Sequence, residues 1–202
     1  EKYPGPAQGV VKAARECFEV SAGAAQAVAG TAGPQGIFCV CRIPQPDESM
    51  NIIAPGRRCI ALDNVQDPAN LGAVIRTAEA LGIGAVIAGG GCDIYNPKTL
   101  RSAMGSAFRM SILQTDDLPA FLEQAAAAGL NTVALVTDAS ADDIRSVETS
   151  GGVVCVIGNE GAGISAQILQ RCKIKATIPM RGKTESLNAA AAAAIAMWEI
   201  SN

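Results

Sequence analysis

From Arg58 onward, short apolar runs alternate with longer stretches in which apolar residues recur every three or four positions. The runs Cys59–Leu62, Ala85–Ala88, Ser111–Leu113, Thr132–Val136, Val153–Ile157 and Ile174–Ile178 have strand length. Between them, Leu71, Val74, Ile75, Ala78 and Leu81 share one face of a helix predicted over Asn70–Leu81. Leu118, Phe121, Leu122 and Ala125 repeat that pattern, and a further helix follows in "TESLNAAAAAAIAMW", Thr184–Trp198, because Ala is the best helix former. In this last stretch Ser186 is the expected helix cap. Strand and helix alternating over this length predict an α/β fold: an open, mostly parallel sheet with helices on both faces. Such sheets bind ligands beyond the carboxyl ends of their strands, so the loops there carry the candidate chemistry.

The chain before Arg58 lacks this rhythm. Val10–Ala29 reads as a helix, "PQG" as a turn and Ile37–Cys41 as a short strand. The stretch "RIPQPDESMNIIAPGRR", with three prolines, reads as a linker and domain boundary. The predicted organisation is therefore residues 1–45 as the end of an N-terminal domain, 46–57 as linker and 58–202 as a second domain. One helix and one strand cannot bury a core alone. With Glu1 rather than Met at the start, the first segment is expected to be truncated.

Composition narrows the chemistry mainly by exclusion. The 202 residues contain no histidine, which removes Ser-His-Asp and Cys-His catalysis, histidine metal sites and any histidine general base. Seven cysteines form no CxxC pair, so neither a zinc site nor a disulfide framework is expected; Cys39, Cys59 and Cys155 lie in apolar runs, where Cys acts as a small hydrophobe. This fits a reducing, cytoplasmic compartment. No apolar run reaches membrane-spanning length. The net charge of −3 argues against a protein that coats nucleic acid by bulk electrostatics. A local basic groove is compatible with it, from Arg57, Arg58, Arg76, Lys98, Arg101, Arg109, Arg181 and Lys183.

Three loops after predicted strands hold polar residues suited to a site. In "LDNVQDPANLGAVIRTAEALG", residues 62–82, Asn70 either caps the helix or serves a ligand. Arg76 is either a solvated charge or a planar guanidinium that grips a phosphate or orients a hydroxyl. In "VVCVIGNEGAGIS", residues 153–165, Gly158, Gly161 and Gly163 permit positive φ and close backbone approach, while Glu160 offers an acceptor; neither GxGxxG nor the P-loop pattern is present. Ser165 can cap the next helix. In "ATIPMRGKTESLNAAAAAAIAMW", residues 176–198, backbone groups near Ile178, Met180 and Leu187 can enclose a flat apolar ligand such as an adenine ring. Ser186 and Asn188 would then face the reacting end.

Asp67–Gly82 fits a "DPxNxGxxxRTAxxxG" pattern, Gly158–Ser165 a "GxExxGxS"-like turn and Ile178–Ala192 an "IPMxGxxxSLNxxxA" pattern. In this order the three resemble the motifs of the SpoU (TrmH) family of RNA ribose 2′-O-methyltransferases, covering about residues 58–202. "NPKTLRSAMGSAFRM", residues 96–110, resembles the family's segment between the first two motifs. The N-terminal piece resembles, more weakly, the end of the small α/β RNA-binding domain that precedes this domain in rRNA-modifying members. The resemblance implies a C-terminal trefoil knot, an exception to the unknotted rule. It implies S-adenosylmethionine as cofactor, held by Gly158, Ile178 and Leu187 with Asn159, Gly161 and Met180 as nearby wall, and it implies no metal. It implies a homodimer whose RNA site is completed across the interface, and catalytic roles for Asn70, Arg76, Glu160, Ser186 and Asn188. The expected substrate is structured RNA, rRNA before tRNA. The alternatives are a tRNA enzyme, or an RNA-binding or ribosome-assembly factor that keeps the fold without turnover. A nicotinamide-dependent oxidoreductase is disfavoured by the missing GxGxxG.

Overall fold

The computed structural model describes residues 5–30, 33, 36–43 and 52–202. The chain divides into two compact units, residues 1–44 and 45–202. In the first, helices α1 (Gly5–Ala13) and α2 (Ala22–Val28) replace the single predicted helix Val10–Ala29. Ser21 starts α2 by accepting the Ala24 amide at 3.2 Å, which separates the two. Residues 37–41 form no strand, and Cys39 is exposed. Pro34 and Gln35 of the predicted turn, and residues 46–51 of the predicted linker, lie outside the described residues.

The second unit is a parallel α/β sheet. Its strands are β1 (Arg58–Asp63), β2 (Ala85–Gly89), β3 (Ile112–Thr115), β4 (Asn131–Leu135), β5 (Asp142–Asp143), β6 (Val153–Ile157) and β7 (Ile174–Thr177). They lie in the order β3-β2-β1-β6-β4-β7-β5, and every pairing is parallel. Six of the seven match predicted apolar runs. β5, two aspartates long, has no apolar signature to read.

The helices are α3 (Pro68–Ala80), α4 (Pro97–Ala103), α5 (Leu118–Ala127), α6 (Ala166–Leu169) and α7 (Ala189–Ser201). Strand side chains alternate between the two faces, as the two-residue period requires. Ile60, Leu62, Cys155 and Ile157 meet the buried faces of α3 and α7. Cys59, Ala61, Val154 and Val156 meet α5 and α6 on the other side. Each fully buried large aliphatic here contributes about 1.5–3 kcal/mol. Burial pushes the Cys59 thiol up to about 11 and Cys155 to about 12, so both are inert core groups. Ile52 is buried in the second core layer, and Gly56 donates its amide to the Gly151 carbonyl at 3.0 Å, so residues 52–57 run along the sheet.

Helix starts differ from expectation in an instructive way. Asp67, not Asn70, caps α3, accepting the Ala69 amide at 2.9 Å with Pro68 in the first turn. Asn188, not Ser186, caps α7. α4 was not predicted, yet it uses the same devices: the Asn96 side chain accepts the Lys98 amide, and Pro97 follows. The α3–α4 crossing is close because Gly72 faces α4; a Cβ there would lie 2.5 Å from Ser102 Cβ and from the Thr99 carbonyl oxygen.

Candidate active site

The loops after β6 and β7 meet at the carboxyl edge of the sheet, around a cavity of about 530 Å³. Gly158, Asn159, Glu160 and Gly161 line it from the first loop, and Ile178, Met180, Ser186, Leu187 and Asn188 from the second. Leu135, Val136 and Thr137, at the end of β4, form another wall that motif reading missed; their position at a strand's carboxyl end was the available signal.

The loop Gly158–Ser165 is tied in place from several sides. Asn159 and Gly163 exchange backbone hydrogen bonds of 2.9 and 3.0 Å, and the Asn159 Oδ1 accepts the amides of Gly161 and Ala162, both at 2.9 Å. Only Gly163 has positive φ, at 70°; Gly158 is glycine because a Cβ would lie 2.3 Å from the Gly163 carbonyl carbon. Gly161 needs neither. Ser165 occupies the cap position of α6 without a side-chain hydrogen bond there, and its amide donates to Asp63 Oδ2 at 2.7 Å. Asn159 Nδ2 donates to the Asn64 carbonyl at 2.8 Å. Asn64 is left-handed (φ 58°), a conformation Asn tolerates better than most residues. Asp63 and Asn64 were not nominated from sequence; the "LDN" at the end of β1 was the only local hint.

Glu160 joins the loops. Its carboxylate accepts the backbone amides of Gln66 and Asp67, each at 3.1 Å, and the Asn70 Nδ2 at 2.9 Å. Burial raises its pKa, but the Asn70 side chain and the two amides outweigh that and hold the carboxyl below its ordinary value. Asn70 is itself buried, and its Oδ1 accepts Asn188 Nδ2 at 3.0 Å. Asn188 Oδ1 then accepts the amides of Ala190 and Ala191 at 2.9 and 3.2 Å. A continuous chain of hydrogen bonds thus runs Glu160–Asn70–Asn188–α7 and fixes which way each amide points.

Ser186 lines the cavity, is exposed and makes no hydrogen bond among the described residues. Arg76 stands apart from the other predicted residues: it is exposed on α3, neither lines the cavity nor bonds a residue that does, and its side chain makes no hydrogen bond or ion pair among the described residues. The predicted basic groove is also thinner than its residue count. Arg57 donates to the Gly84 carbonyl at 2.7 Å and Arg58 to the Ser201 carbonyl at 3.4 Å. Lys98 pairs with Asp67, and Arg109 with Glu79. Among the described residues, no group of three or more His, Cys, Asp or Glu side chains could hold a metal ion, and no helix is long and apolar enough to cross a membrane.

At the carboxyl edge of the parallel sheet, a Glu-Asn-Asn relay drawn from the β6 loop, α3 and the start of α7 thus stands against a cavity that has no P-loop. Residues 57–198 match the model of the SpoU rRNA Methylase family, and the chain belongs to that family. It is 37% identical over 186 residues to the 23S rRNA (guanosine(2553)-2′-O)-methyltransferase RlmP of Bacillus subtilis, covering 92% of this chain and 72% of that one. Among solved structures it is similar to an AdoMet-bound rRNA methyltransferase from Sinorhizobium meliloti, with a TM-score of 0.67, 37% identity, and coverage of 73% of this chain and 57% of that one. It is also similar to the SpoU methyltransferase AviRb from Streptomyces viridochromogenes in complex with AdoMet, with a TM-score of 0.70, 31% identity, and coverage of 79% and 65%. The chain therefore spans less than two thirds of the length of either solved relative.

Proposed function

We propose that this chain is an S-adenosylmethionine-dependent methyltransferase acting on the ribose 2′-hydroxyl of a nucleotide in rRNA. The observation that carries the reading is the Glu160–Asn70–Asn188 relay, which connects all three family motifs at the rim of one cavity. The cavity has the size of a cofactor site, and apolar Leu135, Ile157, Ile178, Met180 and Leu187 give it walls for a purine face. Residues 179–187 take part in no main-chain hydrogen bond among the described residues, so their amides and carbonyls are available to a ligand's edge. Gly158, Asn159, Gly161, Ile178, Met180 and Leu187 are accordingly assigned to S-adenosylmethionine. When bound, the cofactor supplies an electrophilic methyl on a sulfonium.

The protein's own residues align and polarise. Ser186 and Asn188, on the cavity rim, position the ribose for in-line attack, and such alignment supplies about 7–11 kcal/mol in favourable cases. Glu160 and Asn70 act through Asn188, holding its amide in one orientation. Arg76 binds the ribose hydroxyl and adjacent phosphate and stabilises charge developing on oxygen; a guanidinium stays protonated and is no ordinary base. The proton leaves late, to phosphate or water. Because Arg76 lies outside the cavity and, unlike Asn70, bonds to no residue that lines it, we assign it to the cavity of a second copy in a homodimer.

β4 and β5 follow one another in the chain, yet the later strand β7 lies between them in the sheet and pairs with both. This register supports a trefoil knot. Residues 1–45 are read as part of an RNA-binding domain, with 46–57 as linker and 58–202 as the methyltransferase domain. The support is that no described residue from 8 to 43 is buried, so that segment has no core of its own. A cytoplasmic location goes with an rRNA substrate. The test is transfer of labelled methyl from S-adenosylmethionine to deproteinised rRNA, with tRNA and 2′-deoxy substrates alongside. Labelling of rRNA that depends on the 2′-hydroxyl is expected. Equal labelling of tRNA alone would redirect the substrate, and binding of cofactor without transfer to any RNA would favour a silent assembly factor.

A further inference from the structure

The outer side of α3 and α4 carries side chains that the cavity does not use. α4 ends at Met104, a non-glycine residue in the left-handed region (φ 50°), and Gly105 follows at φ 87°. The chain then makes a single tight turn over Ser106–Phe108. Ser106 is buried, and Ala107 and Met110 pack against the core, which leaves Met104 and Phe108 pointing outward, 67% and 68% exposed. The segment is anchored, not loose. Arg109 forms a two-pronged ion pair with Glu79 of α3, Nη2 to Oε2 being 2.8 Å. Arg76 lies one turn before Glu79 on α3, at the spacing that makes helix side chains neighbours. Arg101, in the last turn of α4, is likewise exposed.

Resting on the reading above, we propose that this surface docks the nucleotide next to the reacting ribose, with its unpaired base stacked on Phe108 and its phosphate held by Arg101. Three observations favour this occupant. The chain has only 7 aromatic residues (4 Phe, 2 Tyr, 1 Trp), and a solvent-facing ring held on a rigid turn is a stacking platform for any base. The turn packs against α3 and α4, whose Arg76 and Arg101 are exposed, a local complement to a polyanion that the net charge of −3 does not offer. The apolar part is two side chains, far below the roughly 800 Å² per partner that a stable protein interface buries. Along α3, Glu79 stands nine residues beyond Asn70, about 14 Å at 1.5 Å per residue. The turn is thus clear of its own copy's cavity, and because Glu79 anchors it one helical turn from Arg76, the guanidinium assigned above to the ribose of the second copy, the nucleotide it meets is one flanking that ribose.

The test measures methyl transfer and direct binding with deproteinised rRNA for wild type, Phe108→Ala, Phe108→Leu, Phe108→Tyr and Arg101→Ala. S-adenosylhomocysteine affinity, melting temperature and oligomeric state are measured alongside. Loss of one stacked base weakens binding about 5- to 150-fold. Phe108→Ala and Phe108→Leu are expected to raise the KM and Kd for RNA by that factor, with kcat, S-adenosylhomocysteine affinity and melting unchanged. Phe108→Tyr restores RNA binding. Arg101→Ala lowers the slope of log affinity against log salt by about 0.7. Unchanged RNA affinity in Phe108→Ala, or full activity in Phe108→Leu, overturns the proposal. A changed oligomeric state in Phe108→Ala assigns the surface to a second copy and also overturns it. The direct-binding arm stands even if wild type transfers no methyl, so failure of the activity and failure of this surface are separable.

Discussion

The two loops that build the cavity are constructed in opposite ways. Gly158–Ser165 is held by its own bridge, by the Asn159 side chain on two amides and on the Asn64 carbonyl, by Glu160 on Gln66, Asp67 and Asn70, and by Asp63 on Ser165. Residues 181–187 are all exposed and carry no main-chain hydrogen bond among the described residues; that loop is held at its end, where Asn188 bonds Asn70 and caps α7. One loop arrives shaped, and the other is shaped chiefly at its end. A site that must grip a cofactor and later release product needs one rigid wall and one wall whose backbone groups are still free to bond.

The largest expected effect comes from breaking the rigid loop. Gly158→Ala would put a methyl 2.3 Å from the Gly163 carbonyl carbon and 2.4 Å from the Ile164 nitrogen, backbone atoms rather than the end of a flexible side chain. Overpacking of this kind costs about 1–3 kcal/mol, so melting temperature should fall and S-adenosylmethionine binding, measured by calorimetry, should be lost. Near-normal binding would mean the loop is less determined than described. Asn188→Ala comes next, because it removes two things at once. The cap is worth about 0.5–2 kcal/mol, and Asn70 loses its partner, so both thermal stability and turnover should drop, turnover by about 100-fold or more.

Ser186→Ala separates the two contributions. Ser186 caps no helix and its side chain makes no hydrogen bond among the described residues, so turnover should fall while the melting temperature holds; a melting loss with normal turnover would return Ser186 to a structural role. Arg76→Lys keeps the charge and loses the planar fork. Reduced kcat with unchanged cofactor affinity is expected, and full activity would remove the special place of the guanidinium.

The smallest effect is electrostatic. Glu160 has a depressed pKa in the folded state. Its stabilising contribution is therefore complete above the unfolded value of about 4.3 and is lost as pH falls through the lower folded value. Melting curves from about pH 3 to 7 should show an acid-side loss in wild type that is smaller in Glu160→Gln. Parallel curves would place the acid sensitivity elsewhere, first at Glu79 and Asp143, both held at about 2 by arginine partners.

Much of the second unit was legible because burial writes itself into apolar runs: Val153–Ile157 is buried at every position and was read with the observed bounds. Helix starts were read less well. Ser, Asn and Asp all cap, so the choice among Asp67 and Asn70, or Ser186 and Asn188, turns on the tertiary position of the first turn. Pro68 and Pro97 carried a usable signal for α3 and α4. The motif residues were found by pattern, but the reason for several was not. Gly72 marks a helix crossing, and Gly158 a backbone contact within its own loop. The bonds from Glu160 to Asn70 and from Asn159 to Asn64 span 90 and 95 residues, and no local rule foretells them.

The most direct measurement is mapping of 2′-O-methyl groups on rRNA after incubation with the protein and S-adenosylmethionine, run in parallel with Asn70→Ala. A single ribose position that becomes resistant to alkaline cleavage with wild type, and is strongly diminished with Asn70→Ala while the cofactor still binds, is the expected result. Methylation on a base, or unchanged ribose methylation by Asn70→Ala, would contradict the account in which Glu160, Asn70 and Asn188 act as one positioning chain for 2′-O-transfer.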